Sequence, residues 1–191
     1  RTPVRHALRR LHYDGLVEFS PNGGAQVICP TEMKIRQTYA VRAQLEKMAA
    51  ELAAGNATKK DVAELKRLVE EERRIYRKFI DSGLRQGLVE YHEINEAFHL
   101  HIAGLARNEV LYEQIAGLLQ KCRIYLILYD TYDQMDMNPS FNPSPPEHEE
   151  IISRLSKGDG QGAEEAMLNH LNSTLDGMDF DIALPDDHIT I

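Results

Sequence analysis

Cysteine is scarce in this chain of 191 residues: the two present, Cys29 and Cys122, lie far apart, with neither metal-site nor redox spacing. That excludes a disulfide framework and a thiolate zinc site, and two free cysteines fit a reducing cytoplasm. No apolar run approaches the ~20 residues of a membrane helix, and no signal peptide is visible. Several catalytic motifs are missing too. There is no Gly-rich phosphate loop, no motif around a Ser or Cys nucleophile, and no H-E-x-x-H; His92-Glu93-Ile94-Asn95-Glu96 fails at its last letter. Glu96-Ala97-Phe98-His99 fits the E-x-x-H of di-iron helical bundles, but those need a second copy, which the chain lacks. An enzyme is not the expected class.

Acid is also missing at one end. Before Asp14 the chain has none, while Arg1, Arg5, Arg9 and Arg10 all fall there. The formal net charge of −8 therefore divides unevenly: residues 13–191 carry 18 basic against 30 acidic residues, or −12. Only the N-terminal end can meet a polyanion such as DNA; the remainder would repel it.

That end has a helical pattern. Thr2 is a natural N-cap, and Pro3 fits the first turn, where its missing N–H costs nothing. Val4, Ala7, Leu8 and Leu11 repeat at helical spacing and form one apolar face. Gly15 suits a left-handed cap that stops the helix. Leu16-Val17-Glu18-Phe19 and Ala25-Gln26-Val27-Ile28 then flank Pro21-Asn22-Gly23-Gly24, a strong hairpin turn. A basic helix followed by a hairpin is the second half of a winged helix-turn-helix, a module that places its recognition helix in a major groove.

Residues 1–30 resemble the recognition helix and wing of the GntR family of bacterial transcription regulators. The matching letters are R-T-P-V-R-x-A-L-x-x-L, then G-L-V-E-F, then P-N-x-G-A-x-V. The resemblance implies that Arg1, Thr2 and Arg5 meet DNA and that Gly24 shapes the wing for close approach. It also implies that the first strand and two helices of the winged fold precede Arg1, so the chain starts inside the motif and by itself should bind DNA poorly. Gly23 stands where relatives usually carry Arg at the wing tip, which removes one contact. His6 replaces a usual Glu.

From Thr31 onward the pattern is helical. Thr31 caps a helix to about Ala54, ended by Gly55-Asn56. Thr58 with Asp61 resembles a capping box for a second helix to about Ile80. A third is expected from about Arg85 to Ala106 and a fourth from about Asn108 to Tyr129. Asn138 to Pro146 is expected to be a loop, followed by a fifth helix over Glu147–Ser156. After a break at Gly158-Asp159-Gly160, a sixth runs from about Gly162 to Met178. Residues 179–191 are a tail without pattern. No internal repeat or low-complexity tract interrupts this order.

Polar residues occupy apolar slots. Ile35, Thr38, Arg42, Leu45, Ala49 and Leu52 follow a 3-4-3-4 seam, with Arg42 inside it. Ile115, Leu118, Leu119, Cys122 and Leu126 form the face of the fourth helix, and Arg123 sits beside it. A buried guanidinium needs an anion, either an internal acid or an anionic ligand. The histidines are the second signal. Asn95 and His99 lie four apart on one helix face; His148 opens the fifth helix and His170 lies in the sixth. Three imidazoles plus an amide oxygen would suit Zn²⁺ or a similar ion, although spacing alone does not distinguish them from His12, His92, His101 and His188.

Residues 31–178 resemble the all-helical ligand-binding FCD domain of the FadR subfamily of GntR regulators. Arg42 to Ala50 matches R-x-x-L-E-x-x-A-A, Asn95 to His99 matches (D/N)-x-x-F-H, and Asn108 falls in A-x-x-N-x-x-L. Glu147-His148 and His170-Leu171 match the later E-H and H-L steps. This resemblance implies that Asn95, His99, His148 and His170 ligate a divalent metal, Zn first, with Ni or Mn as alternatives. A small carboxylate effector would fill the open positions, paired with Arg42; Arg123 is a further effector-binding candidate from the cost of burying its guanidinium, not from the resemblance. Asn95 stands where many relatives have Asp, which removes a charge and should weaken the site or change its metal preference.

The expectation is thus an all-α antiparallel bundle of six or seven helices (31–178) after a partial winged helix-turn-helix (1–30). The expected function is a cytoplasmic, homodimeric, metabolite-responsive regulator, a repressor, acting on operator DNA and not bound to a membrane. A metal-free helical domain that holds its effector through Arg42 is the alternative.

Overall fold

The computed structural model describes residues 2–13, 15–20, 24–28, 30–82, 85–133 and 145–176. Its elements are α1 (Thr2–Tyr13), β1 (Val17–Phe19), β2 (Ala25–Val27), α2 (Glu32–Ala54), α3 (Lys59–Ser82), α4 (Arg85–Leu105), α5 (Glu109–Asp133), α6 (Pro145–Ser156) and α7 (Gly160–Asp176). The all-α expectation holds: six helices form an antiparallel bundle, and the hairpin is the single small sheet among the described residues. No helix among them is long and apolar enough to cross a membrane.

Local chemistry sets the helix ends. α1 stops in a Schellman arrangement: the N–H of Leu16 donates to the carbonyl of Leu11, that of Gly15 to His12, and Gly15 adopts φ +72°. Thr2 is the first helical residue rather than the cap, a shift of one position. Thr31 caps α2 by accepting from the Lys34 N–H at 3.2 Å. Thr58 and Asp61 exchange the two bonds of a capping box, at 2.9 and 3.3 Å. Asn108 caps α5 through the Leu111 N–H, and Asp159 caps α7 through that of Gly162.

Several boundaries differ from the sequence expectation, among them the start of α7, which lies at Gly160 inside the expected break because Asp159 caps the helix there. Pro145 and Pro146 belong to the first turn of α6 rather than to the loop; proline fits there because a first-turn N–H has no helical partner. α5 continues to Asp133, beyond the expected Tyr129. Residues 134–144, the tail from 177 onward, Arg1, Gly23 and Cys29 lie outside the described residues.

β1 and β2 pair antiparallel with Val17 opposite Val27 and Phe19 opposite Ala25. Val17 and Ala25 are buried, and Leu16 joins Ile35, Tyr39, Cys122 and Tyr125 in one apolar cluster. The hairpin is thus anchored to α2 and α5. α1 is not: Val4 is 64% exposed and Leu11 37%, so its apolar face lacks a cover among the described residues.

α2 is the central helix, packed on α4, α5, α6 and α7. Its small residues Ala43, Ala50, Ala53 and Ala54 meet Leu65 and Leu68 of α3, Phe98 and Ile102 of α4, Ile151 and Leu155 of α6, and Met167 and Leu171 of α7. The expected seam of α2 holds at Ile35, Thr38, Arg42 and Ala49 but not at Leu52, which is 38% exposed. At 3.6 residues per turn a straight helix drifts off a 3.5 repeat, and burial passes to Glu46, Ala50 and Ala53.

Ile151, fully buried in this core, should cost about 2–5 kcal/mol when changed to Ala. Thr31→Ala should cost only about 1 kcal/mol, the value of a cap. Urea unfolding of the two variants measures both; equal losses would contradict the packing assigned to α6.

Candidate metal centre

Five bundle helices each place a polar group at one buried point. His99 comes from α4, His148 from α6 and His170 from α7, all at most 2% exposed. One ring nitrogen from each lies within 4.8 Å of the other two. The Nε2 of His170 is 3.3 Å from that of His148 and 3.3 Å from that of His99. Phe98 stacks on His148 with ring centroids 4.0 Å apart and walls the cluster with hydrocarbon.

The other nitrogen of each ring faces a carboxylate. His99 Nδ1 lies 2.5 Å from Glu46 Oε2 on α2, His148 Nδ1 2.9 Å from Glu72 Oε2 on α3, and His170 Nδ1 2.8 Å from Glu147 Oε2 on α6. An ionised carboxylate only accepts, so a neutral ring placed this way carries its proton on Nδ1 and turns the lone pair of Nε2 inward. Burial pushes His99 down to about 3, against the pull of Glu46. Burial, then His148, pushes His170 down to about 4. These two rings are therefore neutral at pH 7, and their Nε2 lone pairs face one another at 3.3 Å in a buried site.

The donor set fits a divalent ion. Two nitrogens each about 2.0–2.1 Å from a tetrahedral Zn²⁺ stand about 3.3–3.4 Å apart, which matches both short separations. Carboxylates behind each imidazole are the usual outer support of such a ligand. Asn95 is half-buried one turn before His99 on the same side of α4. His12 instead bonds the Val17 carbonyl at 2.8 Å, and His92 is buried beside Tyr91; neither joins the cluster.

The two expected effector cations are placed differently. Arg42 is 4% exposed. Its Nε donates to Glu46 Oε1, and its guanidinium carbon stands 5.2 Å from the Tyr39 ring centroid. Burial alone would push Arg42 down, but Glu46 overrides it and holds the cation firmly charged. Burial likewise opposes ionisation of Glu46, yet Arg42 and His99 bring it down to about 2. Arg123 stands 3.3 Å from Glu96 and 3.6 Å from Glu93, with 30% of its side chain exposed. It takes the internal-acid alternative, away from the histidines.

Sequence reasoning missed the carboxylates. Glu72 had a signal: Leu65, Leu68 and Ile75 are buried on α3, and Glu72 fills the slot between them. Glu46 lies four residues after Arg42 and Glu147 directly before His148, both inside family motifs but without an assigned role. Of the residues expected to meet DNA, Arg5 is exposed on α1 and Gly24 is exposed at φ +100°. A cavity of about 260 Å³ lies elsewhere, where Leu16 meets Gly117, Leu118, Lys121 and Ile124 of α5.

Fold and centre together define an antiparallel all-helical domain built around an enclosed three-histidine cluster and joined to a basic helix and hairpin. The FCD domain family model matches residues 37–173, and the chain belongs to that family. The HTH-type transcriptional repressor RspR of Escherichia coli is 28% identical over 177 residues, 90% of this chain and 70% of its own length. The HTH-type regulator YdhC of Bacillus subtilis is 26% identical over 175 residues, 90% and 72% respectively. Among solved structures, E. coli McbR/YncC has the same fold, with a TM-score of 0.69 at 22% identity over 90% of this chain and 80% of that one. Relatives and fold are those of GntR-type transcription regulators, not of enzymes.

Removing Arg42 should strand the buried Glu46 and cost about 3–5 kcal/mol, whereas Arg123→Ala breaks partly exposed pairs worth about 0–1 kcal/mol. Urea midpoints of the two alanine variants test this; a loss for Arg123→Ala as large as that for Arg42→Ala would refute the distinction.

Proposed function

We propose that this chain is the sensory part, with the DNA-contacting helix and wing, of a cytoplasmic, metabolite-responsive repressor that binds operator DNA as a homodimer. A divalent metal, Zn²⁺ before Ni²⁺ or Mn²⁺, is held by His99, His148 and His170, with Asn95 as a further donor. The observation that carries this is the convergence of three buried Nε2 atoms, with that of His170 3.3 Å from each of the other two and the His99 and His170 rings both neutral. A cation placed among the three histidines gives those atoms a shared partner. When bound, such an ion supplies an electrophilic anchor for a carboxylate oxygen. Asn in place of Asp lowers the charge of the donor set, which favours an anionic effector in the remaining position.

Arg42 would add the second point of recognition for a small organic acid. Its Nε is committed to Glu46, so the acid must meet another edge of the guanidinium. On the DNA side, Arg1, Thr2 and Arg5 would face the operator and Gly24 would shape the wing. α2 carries exposed apolar residues, Val41, Met48 and Leu52, which suit a contact between two copies. The acid must bind one arrangement of the DNA heads better than the other, because a ligand indifferent to the two shifts nothing.

Metal analysis of untagged protein purified without chelator should find close to one divalent ion per chain, absent from His99→Ala. Added Zn²⁺ at a hundredfold excess over Kd should raise wild-type stability by about 2.7 kcal/mol and leave the variant unchanged. Metal-free wild type that gains no stability with Zn²⁺ would reject the metal reading and leave the acid to Arg42 and its neighbours.

A further inference from the structure

We infer that Arg42 is a positioning residue of the histidine centre, acting through Glu46 on His99, so that the cation offered to an acidic effector also supports the metal ligand. The inference rests on the metal reading above and concerns how that site is held. Three carboxylates back the three imidazoles, but they are not equivalent. Glu46 has a charged or polar neighbour at each oxygen: Oε1 receives a hydrogen bond from Arg42 Nε, and Oε2 stands 2.5 Å from His99 Nδ1, a close contact that falls short of hydrogen-bond geometry. Glu72 bonds His148 through Oε2, while its buried Oε1 has no hydrogen-bond partner among the described residues. Glu147 bonds His170 from a position where a third of its side chain is exposed.

Among the described residues, only the His99 branch ends in a buried cation. Arg42 and Glu46 are one helical turn apart on α2, so their pairing is built into one rigid element. Arg42 fixes the carboxylate in rotation, and the carboxylate fixes the tautomer and ring angle of His99. Outer-shell partners of this kind set metal affinity strongly. The chain also runs in reverse. An acid that draws the guanidinium toward itself changes its hold on Glu46 and hence on His99. Acid and metal affinities are then coupled, and linkage makes that coupling reciprocal.

The test uses Co²⁺ alone as probe, with affinity from chelator competition and ligand geometry from the visible absorption band. Wild type is compared with Arg42→Gln, Glu46→Gln, the double variant, Arg42→Lys and Glu72→Gln, each checked for folding by circular dichroism. Arg42→Gln and Glu46→Gln should each weaken Co²⁺ binding by about 10–100-fold and shift the band. The double variant should bind no more weakly than Glu46→Gln alone, because both changes break one chain. Arg42→Lys should recover most of the loss, since it keeps a cation beside Glu46, and Glu72→Gln should weaken binding without depending on Arg42.

Affinity and band within about threefold of wild type for folded Arg42→Gln, far short of the outer-shell loss, would overturn the inference, and so would additive losses in the double variant. Either result would leave Arg42 with a purely structural or effector role. Wild type that took up no Co²⁺ would instead remove the metal reading, and the inference with it.

Discussion

Buried charge that must be paired is the constraint on which this structure depends. Arg42, Glu46, Glu72, His99, His148 and His170 are all at most 4% exposed, and none could stand alone in hydrocarbon. Each partner sits on a different element: Glu46 on α2 serves His99 on α4, Glu72 on α3 serves His148 on α6, and Glu147 on α6 serves His170 on α7. The pairs therefore dictate which helices must be neighbours. Apolar packing alone, through Ala50, Leu65, Ile102, Ile151 and Met167, tolerates several registers; the three His–carboxylate pairs select one. Centre and bundle register are one problem, and a variant that loosens a pair perturbs both.

The legible parts of the chain were those with local causes. Thr31, the Thr58–Asp61 box and Gly15 act within a few residues of themselves, so the helix ends they set could be read from the string. Pro145 and Pro146 misled because proline both opens loops and fits a first helical turn; the helical run after Pro146 decides between the two. The centre was different. Nothing in the spacing of His99, His148 and His170 separates them from His92, which is also buried, because their convergence depends on how α4, α6 and α7 meet. Their selection came from family resemblance. Glu72 lay in a highly charged stretch, Glu70-Glu71-Glu72-Arg73-Arg74, where composition masks the single acid that turns inward.

Arg42 and Arg123 show how far a seam position can be trusted. Both stand on or beside an apolar face, and the cost of burying a guanidinium raises the same question of its partner. Their answers diverge because of what the surroundings offer. Arg42 finds its own helix's Glu46 inside the core, while Arg123 leans outward to Glu93 and Glu96 with solvent at hand. Periodicity reports that a cation needs an anion; it does not report how wet the meeting is, and wetness decides whether the pair matters.

The route from centre to hairpin is short. Arg42 lies against the Tyr39 ring, Tyr39 shares an apolar cluster with Leu16, and the Leu16 N–H closes the Schellman end of α1. The C-terminal end of α1 is also held by His12, which bonds the Val17 carbonyl and meets the Phe19 ring, while Val4 and Leu11 are open to solvent. A weakly held basic helix tethered at its C-terminal end is the kind of element whose position a small shift in Tyr39 would bias. Adjacency alone does not make such a pathway; it requires two arrangements between which the guanidinium chooses. Under the proposed acid-sensing role, Arg42 would choose between Glu46 within the chain and a carboxylate from outside it, and the Tyr39 ring beneath it would move with the outcome.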